Sequence, residues 1–96
     1  DPQVIVGTAV ISVRLIGVQS LKEKRGILLS LLKRTRNKFN ASVAEVGDQD
    51  LWQRAEIGVA VISSTVKHAQ QQVQKIVRFI ESEPRLEIIS LSEEIL

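Results

Sequence analysis

From Val4 to Leu15 the chain is dense in Val and Ile and shows no helical stripe, and Gly17 follows, which predicts a long first strand. Ser20 then opens a helix. Ser20 and Glu23 have the spacing of a capping box, in which the hydroxyl accepts from the first turn and the carboxylate reaches back to the cap N–H. Leu21, Leu28, Leu32, Thr35 and Phe39 follow at spacings of three, four or seven, so they share one face of the helix. Asn40 and Ala41 end it. Ser42 to Val46 reads as a short strand before a turn at Gly47, Asp48, Gln49 and Asp50, and Trp52 to Ile62 as the second arm of a hairpin. In that arm Ala55, Ile57, Val59 and Val61 alternate with Trp52, Arg54, Glu56, Gly58 and Ala60, and the first set is the expected core side. Ser63, Ser64 and Thr65 offer N-caps for a second helix, whose apolar stripe is Val66, Ala69, Val73, Ile76, Val77 and Ile80. Pro84 stops it. Leu86 to Leu91 reads as a last strand at a sheet edge.

The order βαββαβ is the ferredoxin-like split βαβ pattern, an α+β fold. Right-handed crossovers then place both helices on one face of a four-stranded antiparallel sheet. The other face is left open. With Ile5, Ala9, Ile11 and Val13 inward, Val4, Val6, Val10, Ala60 and Ile62 point outward, with Trp52 beside them.

At 96 residues the chain makes one domain with one modest core. Trp52, Phe39 and Phe79 are the only aromatics, so aliphatic side chains fill that core. With no cysteine and the single His68, there is no basis for a thiolate or imidazole metal site, a disulfide or redox chemistry, and no cofactor is expected. The apolar run at the start is interrupted by Thr8, Ser12 and Arg14 and is too short for a membrane span, so the default expectation is a soluble cytoplasmic protein. The absence of an initial Met leaves a trimmed start open. The net charge of +2 conceals an uneven distribution. Lys22, Lys24, Arg25, Lys33, Arg34, Arg36 and Lys38 crowd the first helix against Glu23 alone, whereas Glu81, Glu83, Glu87, Glu93 and Glu94 make the end of the chain acidic.

Three ordered segments, SLKEKR at Ser20 to Arg25, RNKFNASVAEV at Arg36 to Val46 and QDLWQRAEIGVAV at Gln49 to Val61, resemble the YlxP-like family, small bacterial proteins of unknown function. The resemblance runs from the first strand to the second helix and implies the ferredoxin-like fold independently of the periodicity. It implies no reaction or ligand. Genes of the family often lie among those for translation initiation and ribosome maturation, which is association rather than mechanism. The chain departs from the family's pattern at Gly26 and Asp48, where a basic residue and a His are common, so no role carried by those side chains transfers.

The charge pattern supports three readings. Lys22, Arg25, Lys33 and Arg36 gather on one flank of the apolar stripe and can follow the phosphates of RNA, alone or in a ribosomal subunit; the competing reading is an ordinary solvated helix face. The outward valines Val6 and Val10, with Trp52, suggest an interaction surface, with a second copy of the chain as the simplest partner; scattered apolar atoms on a monomer are the alternative. The loop Gly17, Val18, Gln19 and Ser20, leading into a helix with Lys22 or Arg25 alongside, resembles the phosphate loop of acylphosphatases. It lacks that family's Gly after Gln, and the second and third strands lack its Asn, so no catalytic residue is assigned. The lack of aromatics on central strands argues against a sheet-face RNA reader. Glu45, Asp48 and Asp50 are expected in turn chemistry or in a cross-strand pair of Glu45 with Arg54 or Glu56, and His68 as an exposed helix residue.

Overall fold

The computed structural model describes all residues 1–96. Its order is β1 (Ile5–Leu15), α1 (Leu21–Lys38), β2 (Ser42–Gly47), β3 (Arg54–Ser63), α2 (Val66–Glu81) and β4 (Leu86–Ile95). The strands form one antiparallel sheet in the order β2-β3-β1-β4, so β1 and β3 are central and β2 and β4 are the edges. This is the ferredoxin-like α+β arrangement that the pattern predicts.

Burial confirms the strand faces. Ala9, Ile11, Val13 and Leu15 of β1 and Ala55, Ile57, Val59 and Val61 of β3 are buried, as are Ala69, Val73, Ile76 and Ile80 of α2. Thr65 is the N-cap that α2 uses, its hydroxyl accepting from the His68 N–H. At Gly7 α2 packs close on the sheet: a Cβ there would lie 3.2 Å from side-chain atoms of Val61 and Val73 and 3.3 Å from that of Ala69. Only hydrogen fits without repacking.

Two strand boundaries differ from those the pattern predicts. β3 begins at Arg54, which leaves Trp52 in the connection from β2, exposed, rather than on a strand. β4 runs to Ile95 instead of stopping at Leu91, its last residues pairing with Gly7 to Val10 of β1, and the β1–β4 register shifts opposite Ser12 and Val13. Ser90 pairs with Ser12 and Ile88 with Val13, so Ile89 is the extra residue, and it breaks the alternation that would have revealed the strand. In the β2–β3 turn Asp48 adopts a left-handed conformation, φ 59°, which aspartate tolerates better than most side chains.

Directly paired residues share a face, so the outer face can be followed as rows across β4, β1, β3 and β2. At one end stand Leu96, Val6 and Ile62; then Glu94, Thr8, Ala60 and Ser42; then Ser92, Val10, Gly58 and Ala44. The other end carries Ser90, Ser12 and Glu56, then Glu87, Arg14 and Arg54. The apolar surface therefore covers about half of the open face rather than all of it. No helix is long and apolar enough to cross a membrane.

Candidate nucleic-acid interface on the first helix

α1 packs on β2 and α2, at the opposite edge of the sheet from β4. The helix begins as its sequence predicts, with Ser20 Oγ accepting from the Glu23 N–H at 3.1 Å. The reciprocal arm differs from a capping box: Glu23 Oε2 meets the Gln19 N–H at 3.5 Å, and Oε1 pairs with Arg85 at 2.9 Å. The carboxylate thus occupies the mouth of the Gly17–Ser20 loop where an acylphosphatase-like site would take its anion. Arg85 also donates to the Ile16 carbonyl and fastens the start of β4 to this loop.

The seven cations of α1 separate by what they touch. Lys24 is fully buried, its Nζ 2.9 Å from Glu45 Oε2 and 2.6 Å from the Asp48 carbonyl. That glutamate oxygen has the ammonium as charge partner but no well-aligned hydrogen bond. Glu45 therefore reaches the helix and not Arg54 or Glu56 across the sheet; Glu56 takes the Ser12 hydroxyl instead. Residue type alone puts Lys24 among the surface cations, yet it lies on the apolar stripe with Leu28, Leu31 and Thr35, at i+4, i+7 and i+11. Arg34 pairs with Glu83 at 2.8 Å. Lys38 lies over the rings of Phe39 and Phe79, 5.8 and 5.0 Å from their centroids.

What remains is the expected flank. Lys22, Arg25, Lys33 and Arg36 are all exposed, and none of them has an acidic partner. Arg36 donates from Nη1 to the Val43 carbonyl of β2 at 3.0 Å, which orients its guanidinium and leaves the other donors outward. From Lys22 to Arg36 the flank runs about 21 Å along the helix axis. Leu29, 64% exposed, sits in its middle. Between this flank and β2 lies a shallow groove of about 380 Å³, floored by Leu28, Leu32 and Val43 and edged by Arg25 and Arg36. Arg36 on Val43 and the Gln49 amide on the Glu45 carbonyl also occupy acceptors of β2 that a further strand would need.

The other expected positions are dispersed. Val6 and Val10 lie on the outer sheet face, Val10 40% exposed, but Trp52 stands beyond the charged end of that face, roughly 30 Å from Ile62 along the strand direction. His68 Nδ1 shares a hydrogen bond with Ser63 Oγ, 2.8 Å away, and that hydroxyl accepts from the Thr65 N–H. The pair belongs to the cap of α2. No group of three or more His, Cys, Asp or Glu side chains converges as a metal site would require.

The Arg34–Glu83 pair yields a pH prediction. The Arg34 hydrogen bond holds the Glu83 carboxyl below its ordinary value against the opposing effect of burial, with the Arg85 N–H assisting. A depressed folded-state value means that stability is present above the unfolded-state value and is lost as pH falls through the folded one. Glu83→Gln is therefore expected to weaken the protein against urea at neutral pH and to differ progressively less from the parent in acid.

Fold and surface together define a small α+β protein of the ferredoxin-like class, with one basic helix flank and an acidic strand at the far edge of the sheet. The chain belongs to the family described as "Protein of unknown function (DUF503)", which matches residues 6–93. It is 46% identical over 68 residues to the protein of Bacillus subtilis (strain 168) named "Uncharacterized protein YlxP", a similarity that covers 71% of this chain and 74% of that one.

Proposed function

We propose that this chain is a non-enzymatic RNA- or ribosome-associated factor whose Lys22, Arg25, Lys33 and Arg36 contact backbone phosphates. The observation that carries this reading is the sorting of charge on α1: the cations facing the core or α2 each meet an acidic or aromatic partner, while those on one continuous flank meet neither and only Arg36 has an internal bond, to the Val43 carbonyl. Binding of this kind is sensitive to salt and largely blind to sequence, because its free energy comes from counterion release. The acidic groups at the distant edge, Glu93 and Glu94, would repel phosphate and so orient the protein with α1 toward RNA. Amide chemical-shift mapping with a short unstructured RNA tests it. Perturbations should concentrate on α1 and the adjoining Val43 to Glu45; shifts confined to the sheet face or to α2's first turn would contradict it.

A second reading has its own support. Val4, Ile62 and Leu96 are each about two-thirds exposed and continue into Val6, Val10, Ala44 and Ala60 on the outer face. A contiguous apolar surface of this sort favours a partner, and an isologous second copy would bury it on both sides while leaving α1 free. Val10→Glu should then give a soluble monomer by light scattering where the parent is a dimer. A dimer unchanged by that substitution would place the interface elsewhere.

A further inference from the structure

The end of α1 and the last two turns of α2 form a separate basic hollow of about 350 Å³, lined by Lys38, Phe39, Lys75, Arg78, Phe79 and Ser82. Of the hollows described, it is the one lined by aromatic rings and three cations together. Phe39 and Phe79 meet edge to face, centroids 5.6 Å apart and planes at 73°, and both are only partly covered. Three of the six lining residues are cationic and none is acidic, and neither Lys75 nor Arg78 has an ion-pair partner. Phe79 and Phe39 do pack against the core, but core packing does not account for Lys38, Lys75 and Arg78 lining the same hollow as the two rings.

We infer that this hollow receives one unstacked base of single-stranded RNA, with Lys75 and Arg78 on the flanking phosphates and the Phe39–Phe79 pair as the stacking surface. The assignment rests on the reading of α1 as an RNA flank and narrows it to a substrate class. A partly exposed aromatic ring beside unopposed positive charge complements a base and its phosphates; a duplex keeps its bases stacked and can offer only phosphates. Lys38, lying across the rings, is placed to move aside or to remain as a cationic lid over the base. The flank leads to the hollow around the exposed side of the last turns of α1: starting from Arg36, the side chains of Lys33, Asn37 and Lys38 follow in angular steps of about 60°, 40° and 100° at the helical turn per residue. A strand engaging both would wrap about 200° around the last turns of α1.

The test compares a short labelled single-stranded RNA with the same strand annealed to its complement, by fluorescence anisotropy. The parent protein should bind the single strand about tenfold more tightly than the duplex. Phe79→Leu, which keeps apolar bulk at the helix contact but removes the ring, should erase most of that preference, as should Lys75→Gln with Arg78→Gln, whose side chains are exposed and outside the core. Equal affinity for both RNAs, or single-strand binding that both variants retain in full, would overturn the inference while leaving phosphate binding by α1 standing. If neither RNA bound the parent, both readings would be overturned together.

Discussion

Lys24→Met is expected to lower unfolding free energy by about 3 kcal/mol, the largest effect of any single change within the charged run of α1. The ammonium is fully buried and holds two groups at once, the Glu45 carboxylate and the Asp48 carbonyl. Methionine fills similar space but leaves a largely covered carboxylate and a turn carbonyl without their donor, and unpaired groups of that kind cost more than the intact pair contributes. Lys24→Met combined with Glu45→Leu should recover a large part of the deficit, because the unmatched charge is then gone; chemical denaturation of both single variants, the double variant and the parent forms the cycle. If Lys24→Met alone were neutral, the ion pair would not be what fastens the β2–β3 turn to the first turns of α1. The lysine in the middle of SLKEKR is thus a structural residue within an otherwise solvent-facing run of charge.

Replacing Lys22, Arg25, Lys33 and Arg36 together with Gln is expected to abolish RNA association and leave the fold in place. None of the four side chains belongs to the core, and the only internal hydrogen bond removed is the one from Arg36 to the Val43 carbonyl, a cost of about 1 kcal/mol. The four phosphates that these side chains neutralise on a single strand contribute about −2.8 to the salt slope, a loss of affinity of roughly fiftyfold over a fourfold rise in salt. The variant should lose that part of the slope. Circular dichroism separates this outcome from unfolding. Undiminished binding by a folded variant would remove α1 as the RNA-binding surface.

Much of this molecule is legible in its sequence. The alternation of Ala55, Ile57, Val59 and Val61 and the stripe of Ala69, Val73, Ile76 and Ile80 suffice for strand and helix faces, since a side chain's direction follows directly from the two backbone periods. β4 is harder to read, because the bulge at Ile89 sets two isoleucines side by side and the strand beyond it is an exposed edge rich in glutamate. Lys24 is hidden by its residue type, although its position carries a signal: it falls on the Leu28, Leu31 and Thr35 stripe, and Glu45 falls on the inward side of β2 two residues after Val43. A lysine on one core face and a glutamate on the facing one can be read as a buried pair. The flank of Lys22, Arg25, Lys33 and Arg36 is visible from helical spacing, but which cations are free depends on partners far away in sequence, as with Arg34 and Glu83. The hollow beside the helix ends has no signature in the sequence, since only the packing of α1 on α2 brings Phe39 to Phe79 and Lys38 to Arg78.

The most direct measurement is an anisotropy titration of the unmodified protein into labelled single-stranded RNA, repeated from low to physiological salt. Binding that is tight at low salt, falls steeply and remains measurable at physiological salt is the result expected if the α1 flank reads phosphates. Absence of binding at low salt would contradict it and make Lys22, Arg25, Lys33 and Arg36 an ordinary solvated surface.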